Sequence, residues 1–149
     1  MTSEQLKDRL QIFLRSLDIG TEALRIANDV KDAVRDRVQT SGQNRQGRPF
    51  VPYTPGYAQR RRDAGFQIRV VDFTRSGELW GSIRARKVAE TQESAIVEVG
   101  PTGSDNVDKV AGAIRKRGLI ILPSDDELDA AYQDWVIETY EHFLRTIGA

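Results

Sequence analysis

The length and charge of the chain limit what it can be. Its 149 residues suit one domain, which at that size buries roughly 70% of its unfolded surface. The 22 basic and 22 acidic residues cancel, so bulk charge gives no reason to expect a polyanion as partner. The chain has no cysteine, which excludes disulfides and thiolate metal sites. It shows neither a signal-peptide pattern nor an apolar run of about 20 residues, so we expect a soluble intracellular protein without membrane contact.

The first 39 residues predict two helices. Thr2 and Gln5 have the spacing of a capping box, and apolar side chains then repeat at helical intervals over residues 4–17. We expect Gly20 to end this helix in a left-handed cap, and Thr21 to begin a second helix that reaches about Gln39. The second helix interleaves acidic and basic side chains, which favours a solvated face over a specific docking surface.

Residues 40–55 form a polar stretch with several glycines and prolines. A loop of this length inside a compact domain is usually functional or disordered, so we predict a flexible arm within a single domain that spans residues 1–149. The aromatic end of this arm carries Phe50 and Tyr53. These side chains either reach a neighbouring subunit or pack on the core of their own chain. The sequence leaves both alternatives open.

Residues 56–65 predict a short helix with three consecutive arginines. Successive side chains spread around a helix, so these three cannot form one flat patch. The neutral chain favours a solvated face, or ion pairs between subunits, over contacts with phosphate. Aromatic and arginine side chains of this region and of the hairpin that follows make up the candidate contact residues. They are Phe50, Tyr53, Tyr57, Arg60, Arg61, Arg62, Arg84 and Arg86.

The middle of the chain predicts a β-hairpin. Thr74 is suited to cap a short turn, in which Leu79 and Trp80 supply apolar anchors. Strands over residues 82–89 and 94–99 then pair around a polar turn at residues 90–93. Ile83 and Ala85 alternate with arginines, which is typical of a half-buried antiparallel strand. A segment at residues 68–71 has the composition of a third strand.

The remainder predicts two helices joined by an apolar segment. An amphipathic helix over residues 107–114 ends in a basic cluster before Gly118, and residues 119–123 read as a buried strand or an extended tether. Ser124 and Glu127 form a capping box for a long final helix. Its wide aromatic stripe predicts either a large part of the core or an oligomer interface. The stripe consists of Leu128, Ala131, Tyr132, Trp135, Val136, Thr139, Tyr140, Phe143, Leu144 and Ile147.

These elements predict an α+β fold. N-terminal helices, a small antiparallel sheet with a central hairpin, and a long C-terminal helix packed on the sheet should share one core. Reaction motifs are absent: the chain lacks a phosphate-binding glycine loop, a zinc-protease motif and a nucleophile elbow. Asp125, Asp126 and Asp129 have the chemistry to chelate a divalent metal, although helix capping already explains the start of this cluster. We therefore expect no catalytic residue, no cofactor, no metal and no enzymatic activity.

Residues 73–83, which read FTRSGELWGSI, resemble a signature of small tailed-phage morphogenesis proteins. That signature is threonine–x–(Thr/Ser)–Gly–x–Leu–x–x–Ser–(Ile/Leu), and its fixed positions here are Thr74, Gly77, Leu79, Ser82 and Ile83. A Pro-Tyr segment followed by arginines upstream, and an aliphatic–proline step before the last helix, are similar to further family features. The family comprises tail-completion and head–tail connector (neck) proteins, including the virion-morphogenesis protein of Mu-like phages.

The resemblance implies a non-enzymatic structural protein of the virion. Copies would form a ring, commonly six-fold, in the neck or at the top of the tail, after synthesis and assembly in the host cytoplasm. The implied neighbours are a connector or stopper, and a tail terminator or tail tube, while DNA passes through the lumen without sequence-specific binding. Such a ring needs a head-to-tail interface that closes on itself.

Two alternatives stay open from the residues alone. The first is a nucleic-acid-binding module that uses Arg60, Arg61 and Arg62 together with Arg115, Lys116 and Arg117. The second is a metal-dependent hydrolase centred on Asp125, Asp126 and Asp129.

Overall fold

The structure, a computed structural model, describes residues 1–74, 77–117 and 122–148. It contains a mixture of helices and an antiparallel hairpin, which confirms the α+β class. In chain order the elements are α1 Ser3–Ser16, α2 Ile19–Ser41, α3 Pro55–Asp63, α4 Glu78–Ser82, β1 Ile83–Glu90, β2 Ala95–Pro101, α5 Ser104–Arg117 and α6 Asp125–Ile147. Two predictions lie outside the described residues: the glycine cap at Gly118 and most of the apolar segment at residues 119–123.

The start of α1 agrees with the prediction from local sequence, whereas the start of α2 does not. Thr2 and Gln5 form the predicted capping box of α1. The prediction that Gly20 ends this helix is wrong, because Asp18 accepts a hydrogen bond from Thr21 N–H at 3.0 Å and so begins α2 two residues earlier. Gly20 instead donates its N–H to Glu90 Oε1 at 2.9 Å. A Cβ on Gly20 would stand 2.4 Å from that oxygen, so a larger residue here would displace the Glu90 carboxylate.

The hairpin forms as predicted. β1 and β2 pair antiparallel, with Arg86 opposite Glu98 and Ile83 opposite Pro101, and the register shifts at a bulge between Lys87 and Ala89. The sheet in the described part of the chain has two strands. The third strand suggested for residues 68–71 is wrong, since these residues follow an irregular path.

Helix α2 is the centre of the fold. It packs against both strands on one side and against α6 on another. One core cluster joins Val38 of α2 to Phe50, Val71, Trp80 and Ile83, and a second joins Val30 and Val34 to Ala131 of α6. The expectation that the C-terminal helix lies directly on the sheet is therefore corrected: α6 packs mainly on α2, which lies between it and the hairpin.

The start of α6 is fixed to α2 by polar contacts. Ser124 and Glu127 form the predicted capping box. Arg37 of α2 donates to Glu127 Oε1 at 2.7 Å and to the Leu122 carbonyl at 2.8 Å. Further along the helix, Trp135 Nε1 donates to Glu22 Oε2 at 2.6 Å. Polar contacts thus hold α2 and α6 together at two levels.

The loop at residues 40–55 folds back on itself. Asn44 Oδ1 accepts hydrogen bonds from the Gln46 and Arg48 N–H groups. Gln43 and Pro49 form an isolated antiparallel β-bridge. Phe50 then enters the core, where it is 5% exposed. Of the two alternatives for Phe50, packing on its own chain is the one found, and burial removes this residue from the candidate contact surface.

Candidate interaction groove

A groove of about 820 Å³ opens between α3, α4 and α5. Tyr53 and Tyr57 line one side, Leu79 and Phe73 contribute apolar surface, and Ala113 of α5 lies opposite. Tyr53 and Tyr57 contact each other edge to face at 5.3 Å between ring centroids. This groove, the interaction groove, brings together side chains that the sequence predicted as contact residues with positions of the phage-like motif.

The wall of the interaction groove is held by a buried ion pair. Arg61 is 3% exposed and donates to Asp72 Oδ1 at 3.1 Å and to the Thr74 carbonyl at 2.7 Å. Its guanidinium also lies over the Tyr53 ring at 4.6 Å from the centroid. The prediction that Arg61 is a contact residue for a partner is corrected here, because its guanidinium is buried and bonds to residues of its own chain.

Asp72 organises the segment that precedes α4. Its carboxylate accepts hydrogen bonds from Tyr53 Oη at 3.1 Å, from Thr74 N–H at 2.9 Å and from the Gln67 amide. Its carbonyl accepts the Trp80 Nε1 hydrogen at 2.9 Å. Burial, together with the charge of Asp72, raises the pKa of Tyr53, which keeps the phenol protonated as a donor. Nothing in the local sequence singled out Asp72 for this position.

The phage-like motif has mainly structural roles in the described residues. Thr74 does not cap α4 as predicted: its hydroxyl accepts a hydrogen bond from Gln39 Nε2 at 3.0 Å, and Gly77 occupies the N-cap position with a positive φ of 79°. Leu79 lines the groove, while Ser82 and Ile83 are buried where α4 meets β1. Arg75 and Ser76 of the motif lie outside the described residues.

The rim of the interaction groove carries more basic than acidic side chains, with Lys109 and Lys116 against Glu78. Arg60 lies over the Tyr57 ring at 5.8 Å from its centroid, and Lys116 of α5 is exposed beside the opening. Lys109 pairs with Glu78 at 3.2 Å across the rim. Gly112 also lines the groove, and a Cβ added there would meet no atom within 4 Å. The α5 contribution was missed by sequence reasoning, since the basic end of α5 was explained as a helix terminus.

The other predicted arginines lie apart from the interaction groove. Arg62 is exposed and donates to Gln59 Oε1 at 2.6 Å. Arg84 and Arg86 are exposed on β1, where Arg86 pairs with Glu98 at 3.1 Å. Because Arg61 is buried, the three consecutive arginines do not form one continuous surface for nucleic acid. Binding of nucleic acid by Arg60, Arg62 and the basic cluster at the end of α5 stays a prediction.

The aromatic stripe of α6 is divided between core and surface. Ala131 and Phe143 are buried, and Phe13 of α1 packs on Phe143 at 5.4 Å between ring centroids. Other members of the stripe are exposed: Leu128 at 44%, Tyr132 at 53%, Val136 at 37% and Tyr140 at 57%. We call these four residues the α6 stripe. Only part of the predicted core contribution is found, because α1 and α2 cover one side of the helix.

Two further expectations concern metal binding and the membrane, and the structure bears on them for residues 1–74, 77–117 and 122–148. No group of three or more His, Asp or Glu side chains in that part of the chain is arranged to hold a metal ion, and this applies to Asp125, Asp126 and Asp129. Within the same residues, none of the helices has the length and apolar character needed to cross a bilayer.

Comparisons of the chain with protein-family models, curated proteins and solved structures found no match.

Proposed function

We propose that the protein is a structural virion component of a tailed bacteriophage, one that forms a ring in the neck or at the top of the tail. The observation that carries the proposal is the coexistence of two different exposed apolar surfaces, the interaction groove and the α6 stripe. A ring requires such non-identical surfaces, because each subunit contacts one neighbour with one face and the next with another. The resemblance of residues 73–83 to the phage signature supports the same proposal.

The proposed partners follow from this location. Copies of the chain form the ring, which we take to be hexameric, and adjacent neck and tail proteins stack on its two faces. Those neighbours are a connector or stopper on the head side, and a tail terminator or tail tube on the other. With 22 basic and 22 acidic residues, the subunit has no net charge to hold the DNA that passes through the lumen.

Purified virions give a direct test of the proposed function. Mass spectrometry of particles from the phage that encodes this chain should detect it at several copies per particle, and electron microscopy should place the copies in the neck or at the tail top. Particles assembled without the chain should accumulate as separate heads and tails. Complete infectious particles that lack the chain would refute the proposal.

A further inference from the structure

The α6 stripe has the geometry of a docking helix. Leu128, Tyr132, Val136 and Tyr140 recur at intervals of four residues, so they form one line along the surface of α6. At a rise of about 1.5 Å per residue, this line is about 18 Å long. Exposed apolar side chains in a continuous line, rather than singly, mark an interaction site.

The charge of α6 points to a basic site for that line of residues. The helix contains seven acidic residues and one basic residue, Arg145. Asp125 and Asp129 lie on the same side of the helix as Leu128 and Tyr132. Asp125 is almost fully exposed and lies 3.8 Å from Arg45, whereas Asp129 is exposed and forms no ion pair in the described structure. An apolar line flanked by one unpaired carboxylate, that of Asp129, fits a groove with an apolar floor and basic side chains at its rim.

The interaction groove has those properties. Tyr57, Leu79 and Ala113 offer apolar surface, and Lys116 lines the groove beside them. Arg60 lies over the ring of Tyr57. Gly112 leaves open space where another residue would place its side chain. The groove is lined by α3, α4, α5 and the segments that precede α3 and α4. No residue of α6 lines it, so among the described residues the α6 stripe does not cover the groove of its own subunit.

We infer that the α6 stripe of one copy docks into the interaction groove of the next copy, with Asp129 close to Lys116. The inference rests on the proposed ring, and it names the contact that would build that ring. Because the two surfaces differ, each docked copy presents a free stripe and a free groove, and the contact repeats around an axis until the ring closes. Opposite charges at the rim set the orientation of the helix in the groove.

Blocking the groove is the first test. Gly112→Leu places a branched side chain in the groove, while Gly112→Ala adds only a methyl group and serves as the matched control. Both changes replace a helical glycine and so preserve α5. Sedimentation should show self-association of the unchanged protein, a dissociation constant raised at least about tenfold by Gly112→Leu, and little change for Gly112→Ala. Equal association of all three proteins would overturn the inference.

Exchanging two charges is the second test. Asp129→Lys and Lys116→Asp should each raise the dissociation constant about tenfold, because each places like charges together, and the double variant should recover most of the loss. Asp134→Lys makes the same charge change on the opposite side of α6 and should leave association within about threefold. A double variant that associates no better than the single variants would contradict the proposed pairing of Asp129 with Lys116.

The two proposals fail in different ways. Virions that contain the chain, together with self-association that ignores the groove and charge variants, would overturn the docking contact and leave the proposed function standing. If association responds to these variants but virions lack the chain, the docking contact stands and the proposed function is overturned. An unchanged protein that stays monomeric at about 1 mM would overturn the docking contact, since even a contact with a dissociation constant of about 1 mM is half formed at that concentration.

Discussion

Arg61 and Arg62 are neighbours in the sequence and lie in opposite environments. Arg61 is buried against Asp72, with 3.1 Å between its guanidinium and the carboxylate, whereas Arg62 is exposed and bonds to Gln59 on its own helix. A buried charge that loses its partner retains the cost of desolvation, while an exposed charge does not. The two arginines therefore differ in their contribution to stability although the sequence presents them alike.

We predict that Arg61→Met lowers the free energy of unfolding by about 3–5 kcal/mol, because it leaves Asp72 buried without its cation. Arg62→Met, the matched control, should change it by less than about 0.5 kcal/mol. Urea denaturation of the two variants and the unchanged protein measures both values. Similar losses in the two variants would show that Asp72 does not depend on Arg61.

Gly42 and Gly47 both adopt left-handed backbone, with φ values of 63° and 73°. A Cβ on Gly42, which ends α2, would lie 2.7 Å from Val70 Cβ, whereas a Cβ on Gly47 would meet nothing within 4 Å. Both substitutions to alanine cost about 1–2 kcal/mol of backbone strain. We predict that Gly42→Ala lowers the free energy of unfolding by about a further 1–3 kcal/mol, because its Cβ clashes with Val70. Thermal unfolding compares the two variants, and equal losses would refute a role for that contact.

At the scale of elements, the contact between α2 and α6 depends on the charge of Glu127. Burial opposes that charge, but hydrogen bonds from Arg37 and Ser124 outweigh burial, so the pKa of Glu127 lies below its ordinary value of 4.5. A carboxyl group with a lowered pKa binds fewer protons in the folded state than in the unfolded state. It therefore stabilises the fold above pH 4.5, and this contribution is lost as the pH falls through the folded pKa.

We predict that Glu127→Gln lowers the free energy of unfolding by about 1–2 kcal/mol near neutral pH, because the charged hydrogen bonds from Arg37 are weakened. Glutamine keeps the capping box, so the effect is confined to the charge. The difference from the unchanged protein should shrink as the pH falls below 4.5. Urea denaturation across the acidic range tests this, and a difference independent of pH would exclude an ionised Glu127 as its cause.

Sequence predicted those elements whose causes are local. The capping boxes at Thr2 and Ser124 and the alternation in β1 each depend on residues within a few positions, and all three were found. The sequence predicts the wrong position for Gly20, as a helix end, because it does not show the partner of this residue. Gly20 donates its N–H to Glu90, which lies 70 residues away in the sequence and close in space. Local patterns cannot reveal such partners.

The candidate site was predictable to a similar degree. Tyr53 and Tyr57, which the sequence predicts as contact residues, and Leu79 of the motif line the groove, and their contact with a partner stays a prediction. Arg61 was misplaced because its burial depends on Asp72, a residue that no motif marked. The sequence does not predict that α5 lines the groove, because the helix dipole already explains basic residues at the end of that helix.

At the scale of the whole molecule, charge is segregated although it sums to zero. Helix α6 contributes seven acidic residues against one basic residue, so the rest of the chain has an excess of basic residues. A neutral total therefore conceals an acidic helix and a basic remainder. In the proposed head-to-tail contact, these unlike surfaces would attract each other.

We predict that self-association weakens as salt increases. Raising the ionic strength from about 0.05 M to about 0.5 M shortens the screening length severalfold, and the dissociation constant should rise by about three- to tenfold. Lys116→Ala should reduce this salt dependence, and Arg62→Ala, which removes an equal charge away from the groove, should not. Light scattering across a salt series measures both. Association that strengthens with salt would indicate a contact without electrostatic attraction.

The bonds between α2 and α6 also determine when the fold can be completed. Arg37 meets the Leu122 carbonyl across 85 positions, and Glu22 meets Trp135 across 113. Contacts between such distant residues form late and slow the folding of a chain. During synthesis, Val30 and Val34 must remain uncovered until the last helix has left the ribosome. For that interval the nascent chain exposes an apolar face that invites aggregation, and it would benefit from a chaperone.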